Sequence, residues 1–475
     1  MRKLRSSLQA ITLLYVLFPS AAPSQTGRVA NGSPKYVFLF LADGGGATHL
    51  EIARQYRQYV HNEGMVIVDK IMKEGYVGVM TTHAANSLST DSAAAATAMA
   101  SGCKAKIGAL GVCADGTIAV SAMEIARRRG MKLGLATNST IYDASPAAFV
   151  CHVPNRKDYT AILRRYLEMA PDLLLGGGLD QFLPKGQPGS QRTDDSDPIA
   201  EFTKLGYQTV SDLPQLQRAS SGKVLGLFDL LEMNFEIDRD KQNEPSVYDL
   251  TQAAIRLLHG PRGFFAFIES ENIDRASHTN DIASVIHDYR EFDRAVGLAY
   301  EFYRKYPRET LIIVASDHES GGLGMTLALK DMSSARGNNQ VAGSFDDFKK
   351  LQRIDISLQK AAKQLGPNPN GAAVDKLIAE RFPGFTLAPE FREKLINSQF
   401  MSRTIFAEPV ANALGMMVAN NTQIYWQNTA HSNHPVLVAA LGVGAERFKG
   451  YYDNADFGQK LKALMEGKKQ DEARP

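Results

Sequence analysis

A three-layer α/β/α sandwich, with helices on both faces of a central and mostly parallel sheet, is the fold class predicted by three observations. Short apolar runs bounded by turn residues recur along the chain, as buried parallel strands do. Helical patterns separate them, the alternation expected of an α/β protein. Polar, chemistry-bearing residues follow directly on several of the runs, and in open α/β sheets the crevice outside the carboxyl ends of the strands is where ligands bind.

The runs lie at Tyr36–Ala42, Lys132–Ala136, Leu173–Leu175, Lys223–Leu227, Phe264–Ile268, Thr310–Ala315 and Val436–Leu441. Between them fall helical candidates at Ala119–Arg129, Tyr159–Met169, Val247–His259 and Ile282–Lys305. From about 327 to 427 the alternation gives way to Gly-, Asn- and Pro-containing loops and charged helices, including Lys330-Asp331 and the segment 366–371. This stretch reads as a late insertion, a cap or crown on a single domain spanning 32–467. With 475 residues, 44% hydrophobic and 22% charged, the chain has ample material for such a core and none of the character of a disordered protein.

Residues 1–24 read as a secretory signal peptide. Arg2, Lys3 and Arg5 precede an apolar run at 11–18 and the small residues Ser20, Ala21, Ala22 and Ser24. The run is too short to span a membrane. Export to the periplasm or the exterior follows, with no transmembrane segment. Without the three leader charges the mature chain carries about −1 instead of +2, so no nucleic-acid partner is indicated. Three cysteines, Cys103, Cys113 and Cys151, permit one bridge and one thiol, and their spacing leaves the pairing open. They lack the Cys-x-x-Cys spacing of a structural zinc site.

The candidate chemistry begins at Asp91-Ser92, set against the alanine-rich segment 93–98. Alanine favours helix, so Ser92 falls at a helix N-terminus, where free N–H groups and the helix dipole attract an anion. A serine there is ordinarily a cap, and its partners elsewhere in the chain give it another meaning. Asp43 stands on the glycine turn 44–46 after the first run, where a backbone can approach an ion closely. Glu269, Asp274 and His278 follow the Phe264 run, the last two four residues apart and so on one helical face. Asp317-His318 end the Thr310 run, and His431, with His434 nearby, precedes the last. Imidazoles mixed with carboxylates suit Zn²⁺, whereas Asp43 and Glu269 with a hydroxyl suit Mg²⁺. Two metals beside a serine hydroxyl form a phosphoryl-transfer centre, in which the serine is first phosphorylated and then hydrolysed.

These residues, taken in order, resemble the alkaline phosphatases with the bacterial type of metal site. The resemblance runs through Asp43-Gly44, 90–98, Gly108 to Gly111, 143–148, His152 to Lys157, Glu269 to His278, 315–318 and His431-Ser432, and so spans almost the whole mature chain. It implies hydrolysis of phosphate monoesters of broad specificity through a phosphoserine, with two Zn²⁺ and one Mg²⁺ per chain. By position, Ser92 matches the nucleophile and Arg156 the arginine that clasps phosphate oxygens, a role suited to its planar fork. Asp274, His278 and His431 match the ligands of one Zn²⁺, and Asp43, Asp317 and His318 those of the other. Asp43, Ser145 and Glu269 match the Mg²⁺ site. Asp91 would orient Arg156, and Asp143 would lie in the outer shell of the Mg²⁺ site. Partners would be small phosphomonoesters and inorganic phosphate, and family members are usually homodimers.

Three departures stand out: Ser145 replaces a more usual Thr, Ser432-Asn433 a commoner Thr-Gly, and Arg275 a Lys or His. An arginine at 275, beside the phosphate pocket, is expected to slow product release or shift the pH optimum. A sulfatase is disfavoured because Ser92-Ala93-Ala94 lacks the Cys/Ser-x-Pro-x-Arg setting, and diesterases of this fold commonly use Thr. A metal-free serine esterase lacks its Gly-x-Ser-x-Gly elbow, and a binding protein without turnover would not need every catalytic position filled.

Overall fold

The computed structural model describes residues 32–220, 222–326, 328–329, 341–342, 345–397 and 408–468. The leader expected at 1–24 and Lys330-Asp331 lie outside the described residues. Ten strands form the central sheet: β1 (Tyr36–Ala42), β2 (Tyr76–Thr81), β3 (Lys132–Thr140), β4 (Leu173–Gly177), β5 (Tyr207–Val210), β6 (Lys223–Leu227), β7 (Phe264–Ser270), β8 (Thr310–Ala315), β9 (Val436–Gly442) and β10 (Gly450–Asp453). Their spatial order is β10-β2-β9-β8-β1-β7-β3-β4-β6-β5. β9 runs antiparallel to both β2 and β8, and the other neighbours pair in parallel.

β1 sits at the centre and is buried on both faces, which is why it reads as an unbroken apolar run. Its side chains alternate between two cores. Tyr36, Phe38 and Phe40 enter one, together with residues of the helices Ala47–Tyr56, Val247–Leu258 and Ile282–Lys305. Val37, Leu39 and Leu41 enter the other, with the helices Ser92–Ser101, Ala122–Arg128, Tyr159–Met169 and Asn454–Glu466. The three layers expected from the sequence are these. The helices Leu358–Leu365, Gly371–Arg381, Pro389–Ile396 and Pro409–Thr422 fall between β8 and β9 in the chain, and several of their apolar residues extend the first core.

β2, β5 and β10 were not expected from the sequence. Each lies at or next to a sheet edge, where Tyr76, Val77 and Tyr451 remain exposed, so none carries a continuous buried run. β3 continues four residues beyond its apolar part. Its polar tail, Thr137 to Thr140, stays buried in the sheet because the functional site supplies partners for it. The helix expected from Ala119 begins instead at Ala122, since Ser121 and Glu124 form a capping box there. Cys103 and Cys113 are joined in a disulfide and Cys151 is a buried thiol, which resolves the open pairing.

Candidate active site

Topology concentrates the polar residues at one sheet edge. β8, β1 and β7 are adjacent and parallel, with Leu41 opposite both Ala315 and Glu269. Their carboxyl ends therefore deliver Asp317-His318, Asp43 and Glu269 side by side. β9 is antiparallel, so its leading end brings His431 to the same edge. A left-handed glycine, Gly44 (φ 68°), turns the chain after Asp43, and a Cβ there would stand 2.8 Å from the Asp274 backbone. Asp43 and Asp274 are neighbours because residue 44 has no side chain.

Asp274 and His278 share one face of the short helix Asn272–His278, with His278 Nε2 2.9 Å from Asp274 Oδ2. His431 Nε2 lies 3.6 Å from the same oxygen and 3.3 Å from His278 Nε2. Backbone carbonyls hold the other ring nitrogens, since His278 Nδ1 donates to Thr429 O and His431 Nδ1 to Thr90 O, each at 2.8 Å. Both rings thus turn Nε2 toward the same point, as metal-binding histidines do. Burial alone would raise the Asp274 pKa, but His278 and His431 outweigh it and hold the carboxyl well below its usual range.

A second cluster adjoins the first. His318 Nε2 is 3.4 Å from Asp43 Oδ1 and 3.3 Å from Asp317 Oδ2. Ligand atoms of Asp274, His278 and His431 fall within 4.8 Å of one another, and so do those of Asp43, Asp274 and His318, which makes Asp274 the shared member. Ser145 Oγ donates to Asp43 Oδ2 at 3.2 Å, and Glu269 Oε2 accepts from Thr137 Oγ1 at 2.6 Å. Burial, compounded by Asp317, Asp274 and Glu269, drives the Asp43 pKa well up. Burial, opposed by the Thr137 bond and reinforced by Asp143 and Asp317, pushes Glu269 up to about 8. Burial and the nearby Asp274 push Asp317 up to about 7. Asp43 Oδ1, Glu269 Oε1 and Asp317 Oδ2 are buried without a hydrogen-bond partner. Orphaned acceptors beside imidazole nitrogens are costly for a bare chain and are what a bound cation satisfies, so the donors fit metal ions.

Ser92 opens the helix Ser92–Ser101, with its Oγ 3.3 Å from His318 Nε2. Asp91, not Ser92, is the cap: its Oδ1 accepts from Ala94 N at 3.0 Å. The hydroxyl is therefore released from capping and faces the cluster. Asp91 Oδ2 accepts from Gly108 N at 3.1 Å and from Arg156 Nη1 at 3.2 Å, while Arg156 Nη2 donates to Asp143 Oδ1 at 2.9 Å. Burial disfavours charge on Arg156, but Asp143 and Asp91 more than offset it. Ser92, Arg156, Asp143, Asp274, His278 and His431 all line one open cleft of about 1220 Å³.

Arg275 is the exception among the expected residues. Its guanidinium turns away from the cleft to Met233 O at 3.0 Å and Asn272 Oδ1 at 2.6 Å, and it lies 4.8 Å above the Phe235 ring. Among the described residues the His434 ring lies 3.5 Å from Glu319 and is half exposed, and it is His431 that enters the cluster. Ser320 was missed: its Oγ donates to Asp274 Oδ1 and lies 3.4 Å from His318 Nδ1. A hydroxyl two residues after His318 was its only sequence signal. Thr137 was also missed, and only its register opposite Glu269 reveals it.

A family model for alkaline phosphatase matches residues 34–466. Alkaline phosphatase 3 of Bacillus subtilis is 30% identical, over 97% of this chain and 95% of that enzyme. The repressible alkaline phosphatase of Saccharomyces cerevisiae is 35% identical over 67% of this chain, a match that spans 61% of the yeast protein. The crystal structure of Thermus thermophilus alkaline phosphatase superposes with a TM-score of 0.80 at 25% identity, covering 95% of each chain. With the convergent cluster at the sheet edge, these likenesses establish that the chain belongs to the alkaline phosphatase family and is a metal-binding hydrolase of phosphate monoesters.

Proposed function

We propose that Ser92 is the nucleophile of this hydrolysis and becomes phosphoserine. The carrying observation is its placement: a hydroxyl freed from capping at a buried helix N-terminus, 3.3 Å from His318 and sharing a cleft with Arg156. Ser92 Oγ attacks phosphorus, the ester P–O bond breaks and the alcohol departs. Water then cleaves the Oγ–P bond and releases phosphate. Arg156 binds phosphoryl oxygens through N–H groups that Asp91 and Asp143 leave unoccupied, and those two carboxylates fix the plane of its fork. Asp274, His278 and His431 would hold one Zn²⁺, Asp43, Asp317 and His318 a second, and Asp43, Ser145 and Glu269 an Mg²⁺. Bound cations would lower the pKa of the serine hydroxyl and neutralise charge on the leaving oxygen.

Trapping at acid pH with a ³²P-labelled monoester should place label on Ser92, and Ser92→Ala should lose both label and turnover, the latter by on the order of a thousandfold or more. Label on another residue would overturn the assignment. Elemental analysis of the purified enzyme tests the metal set, with two Zn and one Mg per chain expected.

The stretch 327–427 caps the site in the same reading. Asn412 Nδ2 donates to His278 O at 3.1 Å, and Gln359 Oε1 accepts from Arg275 at 3.3 Å, so its helices brace the Asn272–His278 helix. Arg275 acts on that brace and not on the phosphate, and Arg275→Lys tests this through turnover and its pH profile. Export through the leader at 1–24 is supported by the Cys103–Cys113 bridge, which suits an oxidising compartment. Among the described residues no helix is long and apolar enough to cross a membrane. Assembly as a homodimer belongs to the same reading and is tested by light scattering.

A further inference from the structure

A second cleft, of about 330 Å³, opens between the π-helical turn Arg57–His61, the long helix Ile282–Lys305, the loop that carries Glu236 to Lys241, and the segment around Ile354. It shares no lining residue with the catalytic cleft. Arg290, Lys241, His61, His287 and Tyr56 converge on it, and among the described residues none of these five side chains makes a hydrogen bond or an ion pair. Two carboxylates also face it, but both are engaged. Glu236 is held by Arg239 at 2.7 and 3.1 Å, and Asp355 by Arg381 at 3.2 Å. Gln352 and the apolar side chains of Ile237, Ile286 and Ile354 complete the wall.

Unpaired cations that converge inside a concavity repel one another and gain from an anion between them. Burial, together with Arg290, Lys241 and His61, lowers His287 to about 4, so at neutral pH it is a neutral imidazole with one N–H to donate. Burial raises Tyr56 to about 12, which keeps its hydroxyl a donor as well. The cleft therefore offers the charges of Arg290 and Lys241, further N–H and O–H donors, and three isoleucine side chains. Two charges match a dianion, and a donor set of this size matches a group with three terminal oxygens.

We propose that this cleft is a second, non-catalytic site for a phosphoryl dianion that carries an apolar substituent. Arg290 and Lys241 take the charge, Tyr56 and the two imidazoles take further oxygens, and the three isoleucines cover the substituent. The long helix Ile282–Lys305 that lines this cleft is the next helix in the chain after Asn272–His278, which carries two residues of the metal cluster. Such a ligand is of the same chemical class as the substrates hydrolysed in the other cleft.

Phenylphosphonate is the probe, since it carries a phosphoryl dianion and a ring and has no ester bond to cleave. Calorimetric titration of the metal-loaded enzyme should give one more equivalent per chain for wild type than for the double variant Arg290→Gln/Lys241→Gln. That variant should keep its hydrolysis of an aryl phosphate, which also certifies its fold, while affinity at the second site falls at least tenfold. Equal stoichiometry in the two proteins overturns the proposal. Inorganic phosphate in excess should displace the additional equivalent and benzoate should not; displacement by benzoate alone overturns the phosphoryl assignment. The readout is a difference between two proteins, so it stands whether or not Ser92 is the nucleophile.

Discussion

Two groups flank Ser92, and they are built on opposite principles. On one side, Asp43, Glu269 and Asp317 are buried with an acceptor oxygen left over, and their pKa values are pushed upward. On the other, Arg156 already lies between Asp91 and Asp143. The first group is incomplete as polypeptide, because burying several carboxylates together is costly until something positive joins them. The second has its cation paired by the chain itself, one guanidinium held by two carboxylates, and is set in place before any ligand arrives. One face of the serine thus depends on recruited charge and the other on folded charge.

That contrast is broken or sharpened by experiment. The largest effect should follow loss of metal. A chelator should abolish phosphate release and added Zn²⁺ and Mg²⁺ should restore it, and Asp274→Ala, which strips the shared member of both clusters, should cost more than the about 10–100-fold typical of outer-shell partners. Full activity after complete metal removal, checked by elemental analysis, would show the recruited side to be dispensable. Next, Arg156→Ala should raise KM about 10- to 100-fold, the equivalent of one or two charge-assisted bonds, with the metal content unchanged. A fall in bound metal would mean that the two sides are one structure.

A smaller effect concerns pH. Glu269 at about 8 and Asp317 at about 7 bind protons in the metal-free fold that they release in the unfolded chain above its ordinary carboxyl pKa. Between those values the folded state holds more protons, so the stability of the metal-free protein should fall as pH rises from about 5 to about 8. Thermal melts across that range should show the decline without metal and lose it with metal, whose binding displaces those protons. The smallest effect is expected on the side that the chain pairs for itself. Gly108, within the loop closed by Cys103–Cys113, donates its N–H to Asp91 and accepts from Arg156 N at 2.8 Å. Cys103→Ser/Cys113→Ser should lower stability by about 2–3 kcal/mol and raise KM only a few-fold.

How much of this was legible in the sequence depended on whether a residue's neighbours are fixed by the chain or by the fold. β1, β7 and β8 are continuous apolar runs, and the ligands that follow them could be read directly. Asp274 and His278 could be paired from their spacing alone. Ser92 was placed at the helix start, yet the division of labour by which Asp91 caps and Ser92 does not depends on a dihedral that no motif states. Thr90 O and Thr429 O orient two histidines through their backbones, so their side-chain identity carries no trace of the task. Arg275 was read from its neighbour in sequence, but its direction is set by Phe235 and Met233, far away in the chain. The edge strands escaped notice because partial exposure erases the apolar signature.

The antiparallel strand β9 has a consequence in time. It is inserted between β8 and β2, and its leading end carries the last histidine to the cluster, where His431 pairs with Ser320. A chain that has not yet placed β9 lacks His431 at the cluster and lacks the neighbour that joins β2, whose loop leads on to Asp91-Ser92, to β8. The cluster is therefore completed only by a residue near the end of the chain, so most of the sheet is already made before the site is whole.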